Sequence, residues 1–156
     1  MSPGSEAGRH SARDGREDAR VIELDIPSDV QYIEKVVELI QRECALMQFG
    51  ARQLMLNLAV ALTEALSNAI LRGNSDDPAK HVRVMARVDP ARLVIEVQDE
   101  GRGFDLDQCT LDPTTPGNVD REDGRGLFLM RQLMDRVERF DDVRGKNVVR
   151  LTLMRQ

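Results

Sequence analysis

The apolar positions along this chain change period several times, and each change predicts an element. "VIELDI" (Val21 to Ile26) alternates apolar and polar, the period-two pattern of a half-buried strand. "PSDVQ" then predicts a helix start, with Ser28 as N-cap and Gln31 three residues on, the spacing of a capping box. Val30, Ile33, Val36, Val37, Ile40 and Cys44 recur at helical spacing to about Met47, and Gly50 breaks the run. A second helix is expected from about Ala51 to Leu71, with Leu54, Leu58, Ala61, Leu62, Ala65 and Ala69 as its apolar stripe. Gly73 and Asn74 suit its end, and "NSDDP" is turn chemistry.

Alternation returns in "HVRVMARV" (His81 to Val88) and "RLVIEVQD" (Arg92 to Asp99), two strands joined by a connection short enough for a hairpin. From Glu100 to Asp123 the pattern dissolves into Gly, Pro, Thr and Asp, and a stretch of that length inside a compact domain is usually functional or mobile. "GRGLFLMRQLMDRV" restores helical spacing, with Leu127, Met130, Leu133, Met134 and Val137 on one face. "RVERFDD" and "NVVRLTLM" predict a closing hairpin around Arg144, Gly145 and Lys146. The order β-α-α-β-β-loop-α-β-β predicts an α+β two-layer sandwich, with helices packed on one face of a mostly antiparallel sheet.

Composition narrows the partners. The 156 residues suit one domain with a real core. Residues 1–20 hold four Arg, four acidic residues and almost nothing apolar, so they are expected to form a flexible tail ahead of a domain over 21–156. The net charge of −5 and the absence of Trp argue against nucleic acid as a direct partner. No apolar run approaches the roughly 18 residues of a membrane span, and the N-terminus has no apolar signal-peptide core. Cys44 and Cys109 have no metal-type spacing and read as free thiols, which makes a cytoplasmic chain the expectation.

Three short stretches can carry chemistry. On a wheel centred on Leu58, Asn68 lies about 80° and Glu64 about 120° round the second helix, with Asn57 on the same flank. The pair borders the apolar stripe, where an E-x-x-x-N spacing alone is most often a solvated helix edge. Its other reading is a carboxylate and an amide carbonyl aimed into a cleft, able to handle a proton and hold Mg²⁺. "DEGRGF" (Asp99 to Phe104) puts an aspartate at a strand end with Gly101 and Gly103 beyond it, where a backbone can approach a ligand closely. "DGRGLFLM" (Asp123 to Met130) opens a helix on Gly124 and Gly126, and free N–H groups at a helix start suit phosphate.

In this order the three motifs resemble the GHKL ATPases of the Bergerat fold. "ALTEALSNAILRGN" and "GRGLFLMRQLMD" on a domain of this size resemble the bacterial anti-sigma-factor serine kinases. The resemblance implies ATP with Mg²⁺, Asn68 as the metal ligand and Glu64 as the base that takes a proton from the attacking hydroxyl. It further implies Asp99 as acceptor for the adenine amino group, Gly101 and Gly103 around the base, and Gly124, Arg125 and Gly126 at the phosphates. The Glu100–Asp123 loop would be the ATP lid, with Arg121 a candidate phosphate contact. The implied partners are an antagonist protein with a STAS domain, an RNA polymerase sigma factor, and a second copy in a homodimer. Two alternatives stay open: a non-catalytic ATP-binding switch module, and the catalytic domain of a two-component sensor kinase. Arg72 stands where the family commonly has His, and Asn147 where it often has Thr.

Overall fold

The computed structural model describes residues 19–101 and 122–156, with side chains of the second stretch described from Gly126 onward. Residues 1–18 of the expected tail, Gly103, Cys109, Arg121 and nearly all of the expected lid lie outside the described residues, while Arg20, the last residue assigned to the tail, begins the first strand. Strands β1 (Arg20–Pro27), β2 (His81–Val88) and β3 (Arg92–Asp99) are joined by β4 (Arg136–Asp141) and β5 (Asn147–Met154). They form one sheet in the order β1-β2-β3-β5-β4, with every neighbouring pair antiparallel. Helices α1 (Ile33–Leu46), α2 (Gln53–Gly73) and α3 (Glu122–Leu133) complete the predicted order.

Period-two alternation decides which face of the sheet meets the helices. Val82, Val84, Ala86 and Val88 of β2 are fully buried, as are Leu93 and Ile95 of β3 and Leu151 of β5. Arg83, Arg87, Arg92 and Glu96 point to the other face, beyond the helix layer. α1 buries Val36, Val37, Ile40 and Cys44, four of the positions its spacing predicted. Burial pushes the Cys44 thiol up to about 12, with the Glu43 carboxylate adding to the effect, so it packs as a small hydrophobe.

Two details of the helix starts differ from expectation. The N-cap at α1 is Asp29, whose Oδ1 accepts from the Gln31 backbone N–H (3.0 Å) at the head of a 3₁₀ turn, Val30–Tyr32. Ser28 is buried instead, and its Oγ accepts from the Asn74 side chain (2.7 Å), so its hydroxyl is already spoken for. The left-handed residue after α1 is Gln48 (φ 64°), two residues before the glycine expected to break the helix.

α2 is the central helix; at 21 residues it has the predicted length, displaced by two residues, and it is more deeply buried than its predicted stripe. Leu66 and Ile70 are fully buried along with Leu58, Ala61 and Leu62, because α1 and α3 both pack against α2 above the sheet. At 21 residues α2 is long and apolar enough to cross a membrane by length and composition, which corrects the expectation that no segment is. Its apolar side is instead occupied by the sheet and its neighbouring helices. It begins and ends in π-helical turns, Gln53–Leu58 and Ala69–Gly73, around regular α-helix over Ala59–Asn68. In the first turn the Leu54 carbonyl accepts from Gln41 Nε2 of α1 (2.8 Å), and Gln53 Nε2 donates to the Met154 carbonyl of β5 (2.7 Å).

Leu62→Ala removes a fully buried side chain at the centre of this packing. It is expected to cost about 3 kcal/mol, read as a lower denaturant midpoint at unchanged slope.

Candidate functional site

The C-terminal half of α2 carries Glu64, half-buried, and Asn68, only 8% exposed, one turn apart on the face turned to α3. Gly126 of α3 lies directly over them. A Cβ at Gly126 would stand 2.5 Å from Glu64 Oε2 and 3.7 Å from Asn68 Nδ2. The second glycine of "DGRG" is therefore where two helices meet, and its missing side chain is what lets the carboxylate and amide share that space. Gly124 and Arg125 fall in the first turns of α3, and their surroundings lie outside the described side chains.

Asn68 Nδ2 is buried with no hydrogen-bond partner among the described residues. Leaving a buried donor unpaired costs about 1–3 kcal/mol, a cost native folds seldom carry without a use. A half-turn of the amide exchanges its oxygen and nitrogen in the same space, so the position can offer the gap either a carbonyl oxygen or an N–H. The π-helical turn begins directly after Asn68, and such insertions recur at functional sites.

Gly73 closes that turn five residues on, about 7 Å along the axis, and it touches the second part of the site. A Cβ there would overlap the Asp99 carboxylate, and one on Gly101 would overlap the Gly73 carbonyl. The chain after β3 thus meets the end of α2 backbone to backbone. Asn74, fully buried, pins the junction. Its Nδ2 donates to Ser28 Oγ (2.7 Å) and the His81 carbonyl (2.9 Å), and its Oδ1 accepts from the Glu100 backbone N–H (2.7 Å). Sequence reading took Asn74 for a helix terminator; only the chain path shows the three strand ends it ties.

Asp99 is 2% exposed at the end of β3. Burial raises its carboxyl above the ordinary range. The donors around it act the other way: Asn147 Nδ2 to Oδ2 (2.9 Å), the Gly101 backbone N–H to Oδ1 (3.1 Å), and the charges of Arg139 and Lys80. Asn147, directly opposite Asp99 across the β3–β5 pair, accepts on Oδ1 from Arg139 Nε of β4 (2.6 Å). Arg139 was not anticipated, since its part depends on a strand register that the apolar pattern does not reveal.

The arrangement is a buried carboxylate at one end of a helix and a carboxylate–amide pair one turn back, under a glycine of a second helix. The chain belongs to the histidine kinase-like ATPase domain family, whose profile matches residues 26–153. Within that family it falls among the anti-sigma-factor serine kinases. It is 34% identical to the serine-protein kinase RsbW of Bacillus velezensis, over 75% of this chain and 76% of that protein. It is 32% identical to RsbW of Bacillus subtilis over 78% and 79%. It is 30% identical to the anti-sigma F factor of Clostridium acetobutylicum over 53% and 57%. The fold is similar to a crystal structure of RsbU and RsbW domains from Mycobacterium tuberculosis. The TM-score there is 0.60 at 13% identity, over 87% of this chain and 32% of that one.

The glycines separate two kinds of constraint. Gly126→Ala meets the mobile end of Glu64, so it is expected to fold with little stability lost while turning the carboxylate aside. Gly101→Ala meets backbone, and its expected cost is roughly 3 kcal/mol or more. Thermal melts of the two variants check the contrast.

Proposed function

We propose that this protein is an ATP-dependent serine/threonine-protein kinase and anti-sigma factor. It phosphorylates an antagonist protein with a STAS domain and, in the alternative state, holds an RNA polymerase sigma factor. The observation that carries the reading is the placement of Glu64 and Asn68 side by side beneath Gly126, with the Asp99 carboxylate beyond Gly73. A nucleotide laid along α2 puts its adenine at Asp99 and its triphosphate at Asn68 and the start of α3.

Asp99, kept acceptor-only by donors on both oxygens, takes a hydrogen bond from the adenine 6-amino group, a donor that a 6-oxo purine lacks. Gly101 and Gly103 shape the base pocket; Gly124 and Arg125, in the first turn of α3, bring backbone N–H and charge to the phosphates, and Gly126, the fifth residue of that helix, keeps the space over Asn68 open for them. The residues fit Mg²⁺. Asn68 offers an amide with one end unpaired, Glu64 stands beside it, and Mg²⁺ needs few protein ligands when phosphate oxygens supply the rest. When bound, the ion neutralises charge on the phosphates.

Glu64 accepts the proton of the attacking Ser or Thr hydroxyl as its oxygen bonds to the γ-phosphorus. The bond from that phosphorus to the bridging oxygen breaks, and ADP leaves with the electron pair. Choice between partners follows from their different affinities for the nucleotide states. The protein works in the cytoplasm, as a homodimer.

Two substitutions test the assignment. Asn68→Ala is expected to lower Mg-ATP affinity by at least tenfold, measured by calorimetry; wild-type affinity would remove Asn68 as metal ligand. Glu64→Gln is expected to bind Mg-ATP normally and lose at least a hundredfold in transfer to the antagonist. Undiminished transfer would remove Glu64 as base, and a wild type that binds ATP without transferring phosphate would make the chain a nucleotide-controlled binding switch.

A further inference from the structure

A polar cluster lies behind Asp99, outside the chemistry proposed above. Arg139 Nε donates to Asn147 Oδ1 (2.6 Å), and Asn147 Nδ2 donates to Asp99 Oδ2 (2.9 Å). Asn147 is 1% exposed and Asp99 2%, so both side chains are withdrawn from bulk solvent.

An asparagine amide by itself can sit either way round. Here the choice is forced, because a guanidinium only donates and so must face the amide oxygen. The N–H₂ end is then left for Asp99, which must be an acceptor to receive it. Turned over, the amide would set two donors against each other at Arg139 and two acceptors at Asp99, a clash relieved by a proton on the carboxyl. We propose that Arg139 is a positioning residue for purine selection: through Asn147 it holds Asp99 as an anionic acceptor, the form that receives the adenine 6-amino group. The proposal rests on the nucleotide reading above.

The strand register builds the relay. Asp99 and Asn147 are directly paired, and Arg139, paired with Val149, lies on the diagonal of the same face. The groups facing Asp99 are accounted for from each side. β4 contributes Arg139 and β5 contributes Asn147. The turn before β2 contributes the Lys80 charge, the chain after β3 the Gly101 N–H, and the end of α2 Gly73, which has no side chain. Burial works against the anion and these donors work for it, so losing one donor has a defined sign.

Two readouts test the proposal. The first is the carboxyl ¹³C titration of Asp99 in nucleotide-free protein. The second is the pH dependence of binding to ATP and to inosine triphosphate, which has a carbonyl in place of the 6-amino group. Affinity for ATP falls as pH drops through the Asp99 midpoint, because the neutral carboxyl turns one oxygen into a donor and is the weaker acceptor, with Asn147 and the Gly101 N–H already claiming its oxygens. Arg139→Met is expected to move that midpoint up by roughly one pH unit in both readouts and to narrow the preference for ATP over inosine triphosphate at least threefold. Arg139→Lys, which keeps a donor, is expected to restore most of both. Asn147→Leu should move the midpoint the same way, which keeps the test open if one variant folds poorly. A midpoint unmoved by Arg139→Met, with affinity lowered equally at every pH, would make Arg139 a structural residue and overturn the proposal. If wild type binds no ATP, the nucleotide reading fails while the titration still decides the relay.

Discussion

The contact on which the site depends is the one between Gly73 and Gly101, where the end of α2 and the chain leaving β3 meet with no room for a Cβ on either side. Elsewhere the helix layer stands off the sheet by the length of Leu, Ile and Val side chains. At this end it comes down to backbone contact. Three consequences follow from that approach. The Asp99 carboxylate is brought against the helix end; Asn74, the next residue, reaches the ends of β1, β2 and β3 together; and the face carrying Glu64 and Asn68 continues into the space above Asp99. Two glycines set this geometry, and the polar groups around them keep it.

Much of the fold was legible because the sheet is buried on one side only. β2 and β3 fall on the predicted residues, since eight residues of clean alternation leave little room for another register or period. α2 was underestimated for a related reason. A wheel finds one apolar stripe, but a helix flanked by two others is covered on several sides, so Leu66 and Ile70 are buried without lying on that stripe. The cap assigned to Ser28 failed because a distant residue, Asn74, claims the hydroxyl, and Asp29 next door can do the same local work. The candidate-site residues Glu64, Asn68, Asp99 and Gly126 stand out in the sequence as motifs. Their supports, Asn74, Arg139 and Asn147, act through side-chain bonds between positions far apart in the chain, which no local pattern encodes.

On the proposed reading, Asp99 sets function against stability in a definite direction. Its carboxyl is raised in the folded chain, so between the unfolded value and the folded one the native state holds the extra proton. Stability from this group is therefore greatest below that window and falls as pH rises through it. The anion needed to accept a hydrogen bond is the less stable form at this position. Asn147, the Gly101 N–H, Arg139 and Lys80 act against that penalty. A fold selected for stability alone would place an apolar side chain there; one that must recognise a donor keeps the carboxylate and surrounds it.

The two parts of the site are supported differently, and the difference bears on how binding is felt by the rest of the molecule. The Asp99 part is built on paired strands and a closed set of buried hydrogen bonds. The Glu64–Asn68 part is built across the contact of α2 with α3. α3 is tied at its far end by Asn57 Nδ2, which donates to the Leu133 carbonyl (2.7 Å), and by buried Met134. At the near end it meets α2 through Gly126, over an amide with an unpaired donor. A ligand that pairs with that amide recovers on the order of 1–3 kcal/mol of unmet hydrogen bonding. It recovers it only with α3 seated on α2, because Gly126 forms one side of the space. On the proposed reading, a ligand at Asn68 and the seating of α3 on α2 favour one another through Gly126.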